Sequence, residues 1–494
     1  MTSAVSRRHS GEAIEATPTW DWLEAGLTIA AQSEGLTFIA LPAPVVSAAS
    51  IVDEFRDQPL VAWSAGELTL VGVGIAREVR GTGPARWAEV IASAHAIATN
   101  TAEVGDEPRD TIPTPVGASA TEHVRAVIGG QILPVSELGF ARPRFVGGAA
   151  FAPGAAERAP WTGFGDAWFA LPRWTYVHEG SRALLVLALD ARAAADAGRW
   201  REELAIHRAA FAGSFVARPQ PGLVELAAAA AAQWRDQVTA ITDAIARGEC
   251  SKIVAARTCT VALAGAVRAA ELLAALDDRH ADCVRVMIKP PGAGALVAAT
   301  PERLVRRDGD RVLCDALAGS IARNGDVAAA TAKLLASTKD RREHDLVVDA
   351  IRAALEGAGA DVEAPAEPAP RTLRHVIHLH TPFEARLRQP RHVLELAARL
   401  HPTPAVGGTP TEVAREWIRT HEPTPRGWYA APVGWFDLEG NGELAVALRS
   451  GVVAGNRAHL WAGAGIVAGS DPDRELAETD VKLRAMLGAL GVNA

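Results

Sequence analysis

Lysine is rare in this chain, so its positions are informative. Of the 50 lysine and arginine residues only five are lysine, namely Lys252, Lys289, Lys333, Lys339 and Lys482. Arginine keeps its proton at any ordinary pH, whereas a buried lysine can become neutral and act as a base. Lys252, in the segment SKIVAAR, is therefore the first candidate for a catalytic base. For any single lysine, persistence by chance is the alternative.

Carboxylates in unusual settings are the second group of candidates. Glu302 follows an apolar run in ATPERL, where burial would raise the pKa of the carboxyl and let it act as an acid; a simple Pro-Glu turn is the alternative. Glu343 falls on the apolar face of a helix predicted over residues 340–355. An inward-facing carboxylate is costly unless it is paired or bound to a metal.

A third group lies in the last predicted helix, over residues 472–490. Glu475 and Glu478 share a face with Lys482 at spacings that allow ion pairs, and a solvated helix face is the plain interpretation. The sharper hypothesis is that this face closes a cleft in which Glu478 approaches Glu343. Two carboxylates of this kind suit Mg²⁺, which keeps several waters and commonly bridges to an anionic substrate.

Glycines precede this helix in WAGAGIVAGSDP. Gly463, Gly465 and Gly469 predict a glycine-rich turn that presents N–H groups to an anion, although their spacing matches neither nucleotide-binding fingerprint. Arg449 in ALRS and Tyr429 in RGWYAAPVGW could add a fixed cation and a hydroxyl group.

Composition excludes several function classes. The 494 residues carry a formal net charge of −8 without a block of like charges, which disfavours nucleic acid as a partner. The longest apolar runs have about ten residues, well short of the roughly 20 that a membrane helix requires. Residues 1–16 lack an apolar stretch and predict a flexible leader rather than a secretory signal.

The four cysteines predict a reducing compartment. They form no CxxC pair and no nearby His–Cys spacing typical of zinc sites, so we expect buried thiols in a soluble, cytoplasmic protein. These residues are Cys250, Cys259, Cys283 and Cys314.

Hydrophobic periodicity gives a coarse order of elements. Residues 17–216 alternate short β-like runs with turns, and ARPQPG at 217–222 predicts a connector. An Ala-rich helix is predicted over 223–247, and Asp308-Gly309-Asp310 predicts the turn of a hairpin. Beyond the helix at 340–355 we expect, in order, a loop at 356–370, strands within 373–387, helices near 391–400 and 411–420, a series of strands, and the helix at 472–490.

The order of the motifs resembles the chorismate-utilising enzymes, which include isochorismate, salicylate, anthranilate and aminodeoxychorismate synthases. The resemblance runs continuously over about residues 223–490. It is carried by SKIVAAR, ATPERL, DALAGSIAR, STKDRREHDLVV, HVIHLHTPFEARL, LHPTPAVGGTP, RGWYAAPVGW, ALRS, AGAGIVAGSDP and ELAETDVKL.

This resemblance implies a division of roles. Lys252 would be the base that activates water for attack at C2 of chorismate, and Glu302 the acid that protonates the departing C4 hydroxyl. Glu343 and Glu478 would bind Mg²⁺, with Glu475 beside them on the metal side. Chemically, the lysine must then act in its neutral form and the glutamic acid in its protonated form, the reverse of their states in water.

The resemblance also implies a substrate clamp. Tyr429, Arg449 and the amides around Gly463 and Gly465 would hold the enolpyruvyl carboxylate. Lys482 would line the metal side of the site. His378 in VIHLHT matches a ring-facing histidine, with its neighbour His380 as the alternative.

Two positions distinguish the members of the family. Anthranilate synthases typically carry glutamine where Lys252 stands, and aminodeoxychorismate and salicylate synthases usually carry threonine or serine at the position of Ala405 in HPTPAVGG. The lysine and the alanine together predict an isochorismate synthase, an isomerase. A salicylate synthase, an aminodeoxychorismate or anthranilate synthase component and an inactive chorismate-binding subunit remain alternatives.

The resemblance further implies an α/β fold, a large sandwich of antiparallel sheets with flanking helices in one compact unit. Residues 17–222 would form its N-terminal part and residues 223–494 the catalytic region. We expect a monomer that needs no amidotransferase subunit, and a product that enters menaquinone, siderophore or other salicylate-derived synthesis.

Overall fold

The structure is a computed structural model that describes residues 17–100, 123–323 and 325–492. The leader predicted over residues 1–16 lies outside the described residues. The helices are α1 Thr17–Ala30, α2 Ala48–Glu54, α3 Arg86–Thr99, α4 Ala191–Ala194, α5 Ala197–Ala212, α6 Ala231–Ala246, α7 Ala269–Arg279, α8 Val327–Ala336, α9 Thr338–Gly357, α10 Val393–Leu400, α11 Thr411–His421 and α12 Pro472–Ala489.

The strands outnumber the helices and pair into one continuous network. They are β1 Thr37–Pro42, β2 Leu60–Ala65, β3 Leu68–Gly81, β4 Arg125–Ile128, β5 Gln131–Pro134, β6 Arg144–Ala149, β7 Ala167–Glu179, β8 Arg182–Leu189, β9 Leu223–Ala228, β10 Lys252–Leu263, β11 Val284–Lys289, β12 Ala295–Thr300, β13 Arg303–Asp308, β14 Arg311–Ala322, β15 Ala360–Glu363, β16 Ala369–Thr372, β17 Val376–Leu387, β18 Gly408–Thr409, β19 Pro432–Asp437, β20 Gly442–Val446, β21 Ser450–Ala454 and β22 Arg457–Val467.

The network consists of two antiparallel sheets that share two long strands. The first runs in the order β5-β4-β1-β8-β7-β3-β2-β11-β12-β21-β22-β10-β9, with β1 and β4 parallel. The second runs β3-β7-β6-β19-β20-β13-β14-β17, and β15 and β16 both pair with β17. The register shift between Ile75 and Arg77 lets β3 and β7 pass from one sheet to the other.

Strand pairing joins the two predicted parts of the chain. β2 pairs with β11 and β6 pairs with β19, so both sheets contain strands from before and after residue 222. The predicted α/β fold with a large antiparallel-sheet assembly is confirmed. The boundary placed at residue 222 stays a prediction.

Helices α9 and α12 are fixed by apolar faces and by their first turns. Val347 and Ile351 bury the inner face of α9, and Leu483 and Met486 bury that of α12. Each such side chain contributes roughly 1.5–3 kcal/mol when it leaves water. The Asp471 side chain caps α12 by accepting a hydrogen bond from the N–H of Arg474 at 2.9 Å. Both helices therefore hold their remaining side chains in fixed directions.

Several sequence predictions are confirmed in outline. The turn at residues 308–310 joins β13 and β14 as a hairpin, and helices occupy the regions predicted at 340–355, 391–400, 411–420 and 472–490. Among the described residues, none of the helices combines the length and the apolar character that a membrane crossing requires.

Two secondary-structure predictions are wrong, both because the sequence does not show the partner strand. The helix predicted over 223–247 begins only at Ala231, since residues 223–228 pair with β10 as strand β9. The loop predicted over 356–370 contains β15 and the start of β16, since both find partners along β17. Backbone pairing with a strand already in the sheet outweighs local composition at these positions.

Candidate active site

The predicted site residues converge on one cavity. It encloses about 790 Å³ with its mouth included, and α9, α12, β14, β17, β22 and the connections around them form its wall. Every residue predicted for the site lines this cavity except Lys252 and Glu475. The lining members are Glu302, Glu343, His378, Ala405, Tyr429, Arg449, Gly463, Gly465, Glu478 and Lys482.

Lys252 lies directly behind the cavity wall. It is the first residue of β10, its side chain is 0% exposed, and its Nζ donates to Glu343 Oε1 at 2.8 Å. The sequence predicted that both residues belong to the site but not that they form an ion pair with each other. An ammonium group has no lone pair, so a role as base requires this amine in its neutral form, outside the ion pair.

Glu302 occupies the connection between β12 and β13. Its N–H donates to Thr300 Oγ1 at 3.3 Å and its carbonyl accepts from the N–H of Val446 at 3.0 Å, so the backbone is held on both sides. The residue is 3% exposed, and burial raises the pKa of its carboxyl to about 8 although the nearby charge of Lys252 acts in the opposite direction. At neutral pH this carboxyl holds a proton that it can donate.

Glu478 projects into the cavity from α12. Its Oε1 accepts from Ser320 Oγ at 2.9 Å and from Lys482 Nζ at 2.8 Å. Burial acts to raise the pKa of Glu478, but the charge of Lys482 and these hydrogen bonds outweigh it, so the pKa is lowered. Lys482 Nζ also donates to the carbonyl of Gly463 at 2.8 Å, which ties α12 to β22.

Glu475 takes a different place from the one predicted. It does not line the cavity, and its Oε1 forms an ion pair with Lys339 Nζ at 2.8 Å rather than with Lys482. Burial raises the pKa of Glu475 despite the charge of Lys339. This ion pair joins α9 to α12 beside Glu343 and Glu478. The sequence analysis did not assign Lys339 to the site, although the scarcity of lysine was a signal.

Ser320 is a second residue that the sequence analysis missed. It lies near the end of β14 within the quoted motif DALAGSIAR, lines the cavity and holds Glu478. A serine in a strand carries no signal of its own, because its role depends on where α12 docks.

The prediction of a glycine-rich turn is wrong for two of its three glycines. Gly463 and Gly465 lie inside strand β22, and only Gly469 lies in a turn, with φ +81°. The two strand glycines are needed for space: a Cβ on Gly465 would lie 2.5 Å from Glu343 Oε1, and one on Gly463 would lie 3.0 Å from the hydroxyl of Tyr429.

The backbone N–H of Gly465 nevertheless points away from its partner strand. Gly465 faces Val254 on β10, yet the N–H of Val254 donates to the carbonyl of Gly407 and its carbonyl accepts from Arg426. Residues facing each other in an antiparallel pair exchange both hydrogen bonds or neither. The N–H of Gly465, and by the same alternation that of Gly463, is therefore directed to the open side of β22.

Tyr429 and Arg449 form a further part of the wall. Burial raises the pKa of Tyr429 above its usual range, so its hydroxyl keeps its proton, and its ring stacks on Trp461 with centroids 6.2 Å apart. Arg449 has a left-handed backbone, φ +46°, and its Nη1 contacts Cys283 Sγ at 3.8 Å. Burial lowers the pKa of the guanidinium, which still remains charged at neutral pH.

The structure distinguishes the two histidines of β17. His378 lines the cavity, and burial, reinforced by Arg449, lowers its pKa well below the usual value, so the ring is neutral. His380 instead pairs with Asp315 through Nε2 at 2.9 Å. Ala405 contributes only a methyl group to the wall.

Together these side chains create opposite environments within one cavity. A protonated carboxyl, two carboxylates from α9 and α12, a fixed cation and two outward-directed backbone N–H groups line it, and a buried amine pairs with one of the carboxylates from behind the wall. Such a cavity can bind a small dianion and move protons on both sides of it.

Comparisons with known proteins identify the family to which the chain is similar. The sequence profile of a family described as "Chorismate binding enzyme" matches residues 117–491. The "Salicylate biosynthesis isochorismate synthase" of Pseudomonas aeruginosa is 35% identical over 450 residues, which cover 88% of this chain and 85% of that protein. "Isochorismate synthase MenF" of Bacillus subtilis is 36% identical over 358 residues, covering 71% and 75%.

Solved structures show the same fold. The menaquinone-specific isochorismate synthase MenF of Escherichia coli superposes with a TM-score of 0.73 at 26% identity, covering 94% of this chain and all of that one. A structure described as a putative 2,3-dihydroxybenzoate-specific isochorismate synthase, DhbC from Bacillus anthracis, gives 0.68 at 26% identity, covering 90% and 100%. The chain therefore belongs to the family of chorismate-binding enzymes.

Proposed function

We propose that this protein is a Mg²⁺-dependent isochorismate synthase, an isomerase that converts chorismate to isochorismate. The net change moves the hydroxyl group from C4 to C2 and keeps the enolpyruvyl group. The observation that carries the proposal is one cavity lined by the protonated carboxyl of Glu302, the carboxylates of Glu343 and Glu478 and the fixed cation of Arg449. Behind its wall the buried Lys252 pairs with Glu343. The printed names of the similar proteins point to the same reaction.

Glu302 supplies the proton for the leaving group. A hydroxyl leaves C4 far more easily as water than as hydroxide, and a carboxyl with a pKa of about 8 holds a proton at neutral pH that it can give up. Lys252, in its neutral form and free of Glu343, takes a proton from the water that adds at C2. One proton is consumed and one released, so the reaction is balanced without a redox partner.

The clamp residues orient the substrate. Chorismate carries two carboxylates, so the cavity needs positive charge or N–H donors at two places. Arg449, Tyr429 and the outward N–H groups of Gly463 and Gly465 would hold the enolpyruvyl carboxylate. The neutral ring of His378 contacts the substrate ring without adding charge.

Glu343 and Glu478 fit a magnesium ion. Both offer carboxylate oxygens to the same cavity, and Glu478 is ionised there. Hard oxygen donors from one or two carboxylates are what Mg²⁺ usually takes from proteins. Bound magnesium would supply positive charge for the ring carboxylate of chorismate. Glu475, paired with Lys339, lies outside the cavity lining and would not contact the substrate.

A salicylate synthase is the second candidate within the family, because the Pseudomonas relative's name mentions salicylate biosynthesis. The methyl group of Ala405 favours isochorismate as the final product, since it provides no hydroxyl that could assist loss of pyruvate.

Incubating the purified protein with chorismate and Mg²⁺ tests the proposal. We expect isochorismate in the NMR spectrum without pyruvate or salicylate fluorescence, loss of turnover with EDTA, and recovery with added Mg²⁺. Stoichiometric pyruvate would favour the salicylate synthase. No turnover under any of these conditions would favour a chorismate-binding subunit without activity.

The proposed reaction also bears on the cellular location, the oligomeric state and the use of the product. We place the protein in the cytoplasm as a monomer without an amidotransferase subunit, because water rather than ammonia is the nucleophile. Its four cysteines are free and buried, as a reducing compartment allows. The product would serve menaquinone or siderophore synthesis.

A further inference from the structure

A cluster of potential metal ligands lies outside the cavity, where α7 leads into β11. His280, Asp282 and Cys283 each offer one ligand atom, and these three atoms lie within 4.8 Å of one another. His280 is 1% exposed, and its Nδ1 is buried without a hydrogen-bond partner among the described residues. Cys283 is 4% exposed, whereas Asp282 is exposed, so a small ion can reach the cluster from solvent.

The cluster touches the cavity through Arg449. Arg449, which lines the cavity, directs Nη1 to Cys283 Sγ at 3.8 Å. Cys283 also lies 3.8 Å from Asp282 Oδ1. The sulfur atom is thus shared between the possible metal site and the cation that we assign to the substrate carboxylate.

We propose that His280, Asp282 and Cys283 form a site for a divalent transition-metal ion, best matched by Zn²⁺, and that its occupancy weakens substrate binding at Arg449. One imidazole, one thiolate and one carboxylate suit a borderline-soft ion and leave a fourth position for water. Metal binding here is independent of the proposed function, whereas its effect on substrate rests on that function.

A divalent ion can bind next to the positively charged Arg449 because the ligands neutralise its charge. When the metal binds, the thiol of Cys283 releases its proton to solvent and a sulfur–metal bond forms. The thiolate and the carboxylate of Asp282 then neutralise the two charges of the ion. The sequence predicted no zinc site, because a His-x-Asp-Cys segment does not match the His–Cys spacings of the zinc-finger type.

The weaker binding of substrate follows from the conversion of the Cys283 thiol to a metal-bound thiolate. Although the occupied site is neutral as a whole, a metal-bound thiolate accepts hydrogen bonds more strongly than a thiol, so the contact between Cys283 Sγ and Nη1 of Arg449 becomes shorter. The guanidinium is then drawn toward Cys283 and away from the cavity. We expect the KM for chorismate to rise by about fivefold or more, the usual lower end of coupling between two sites, with kcat nearly unchanged.

Cobalt titration tests the site directly. With Mg²⁺ in excess, we expect one Co²⁺ per chain and a thiolate-to-cobalt charge-transfer absorption. Cys283→Ser removes the absorption and Asp282→Asn weakens binding by about tenfold or more. The matched control is Cys259→Ser, the same change at another buried thiol. The site is refuted if Cys283→Ser and wild type bind Co²⁺ alike, or if wild type shows no charge-transfer absorption.

Kinetics with buffered Zn²⁺ and excess Mg²⁺ test the coupling. Asp282→Asn, at an exposed position outside the cavity, keeps its basal activity and loses the rise in KM. An equal rise in this variant would overturn the coupling, because the inhibition would then arise elsewhere. A cobalt absorption in a protein that never turns over chorismate would support the metal site and reject the proposed function separately.

Discussion

Replacing Glu302 by glutamine should stabilise the fold increasingly as the pH rises. In the unfolded chain this carboxyl ionises near its usual value of 4.5, whereas in the folded protein burial delays ionisation to about 8. Between these values the folded state holds one more proton than the unfolded state. The unfolding free energy of the wild type therefore falls as the pH rises through this window, by about 1.4 kcal/mol per pH unit.

The glutamine side chain does not ionise, so the variant lacks this pH-dependent fall in the unfolding free energy. The variant should gain about 3 kcal/mol over the wild type between pH 5 and pH 7, and the gain should level off above about pH 8. Urea unfolding of both proteins at several pH values measures it. Glu384→Gln, at an exposed position of β17, controls for the loss of one carboxyl. Parallel curves for wild type and Glu302→Gln would refute the assignment of a protonated carboxyl.

The same physical picture makes three predictions about activity. In steady-state assays, kcat/KM should fall about tenfold per unit above pH 8 as Glu302 ionises, and a flat alkaline limb would show that another group is the acid. Lys252→Arg should keep its melting temperature but lose turnover by at least about a hundredfold, because a guanidinium cannot accept the proton; near-normal activity would identify a different base. Gly465→Ala should raise the Mg²⁺ concentration needed for half-maximal activity, since its methyl group would collide with Glu343, whereas Gly357→Ala, which adds a methyl group into open space, should not. If both variants raised this Mg²⁺ concentration equally, a collision between the methyl group at residue 465 and Glu343 could not be the cause.

Which residues come together was predictable in part, because the motifs carry specific residue types in a fixed order; their chemical roles stay predictions. Glu302, Arg449 and Tyr429 line the cavity that the motifs predicted. The scarcity of lysine also proved informative: Lys252, Lys339 and Lys482 all bind carboxylates in or beside the cavity.

The pairing of these residues was not predictable. Lys252 is 91 residues from Glu343 along the chain, and Lys339 is 136 residues from Glu475. Such contacts depend on how α9 and α12 dock against the sheet, which no local pattern encodes. For the same reason the strand at residues 223–228 looked helical, because its partner β10 lies more than 30 residues further on.

In the proposed reaction water adds at C2 while the C4 hydroxyl leaves. Turnover of chorismate in ¹⁸O-labelled water, followed by mass spectrometry and by NMR of the C2 position, follows both oxygen atoms. We expect each isochorismate molecule to carry one solvent oxygen, bonded to C2. Isochorismate that retains the original hydroxyl oxygen of chorismate would contradict it.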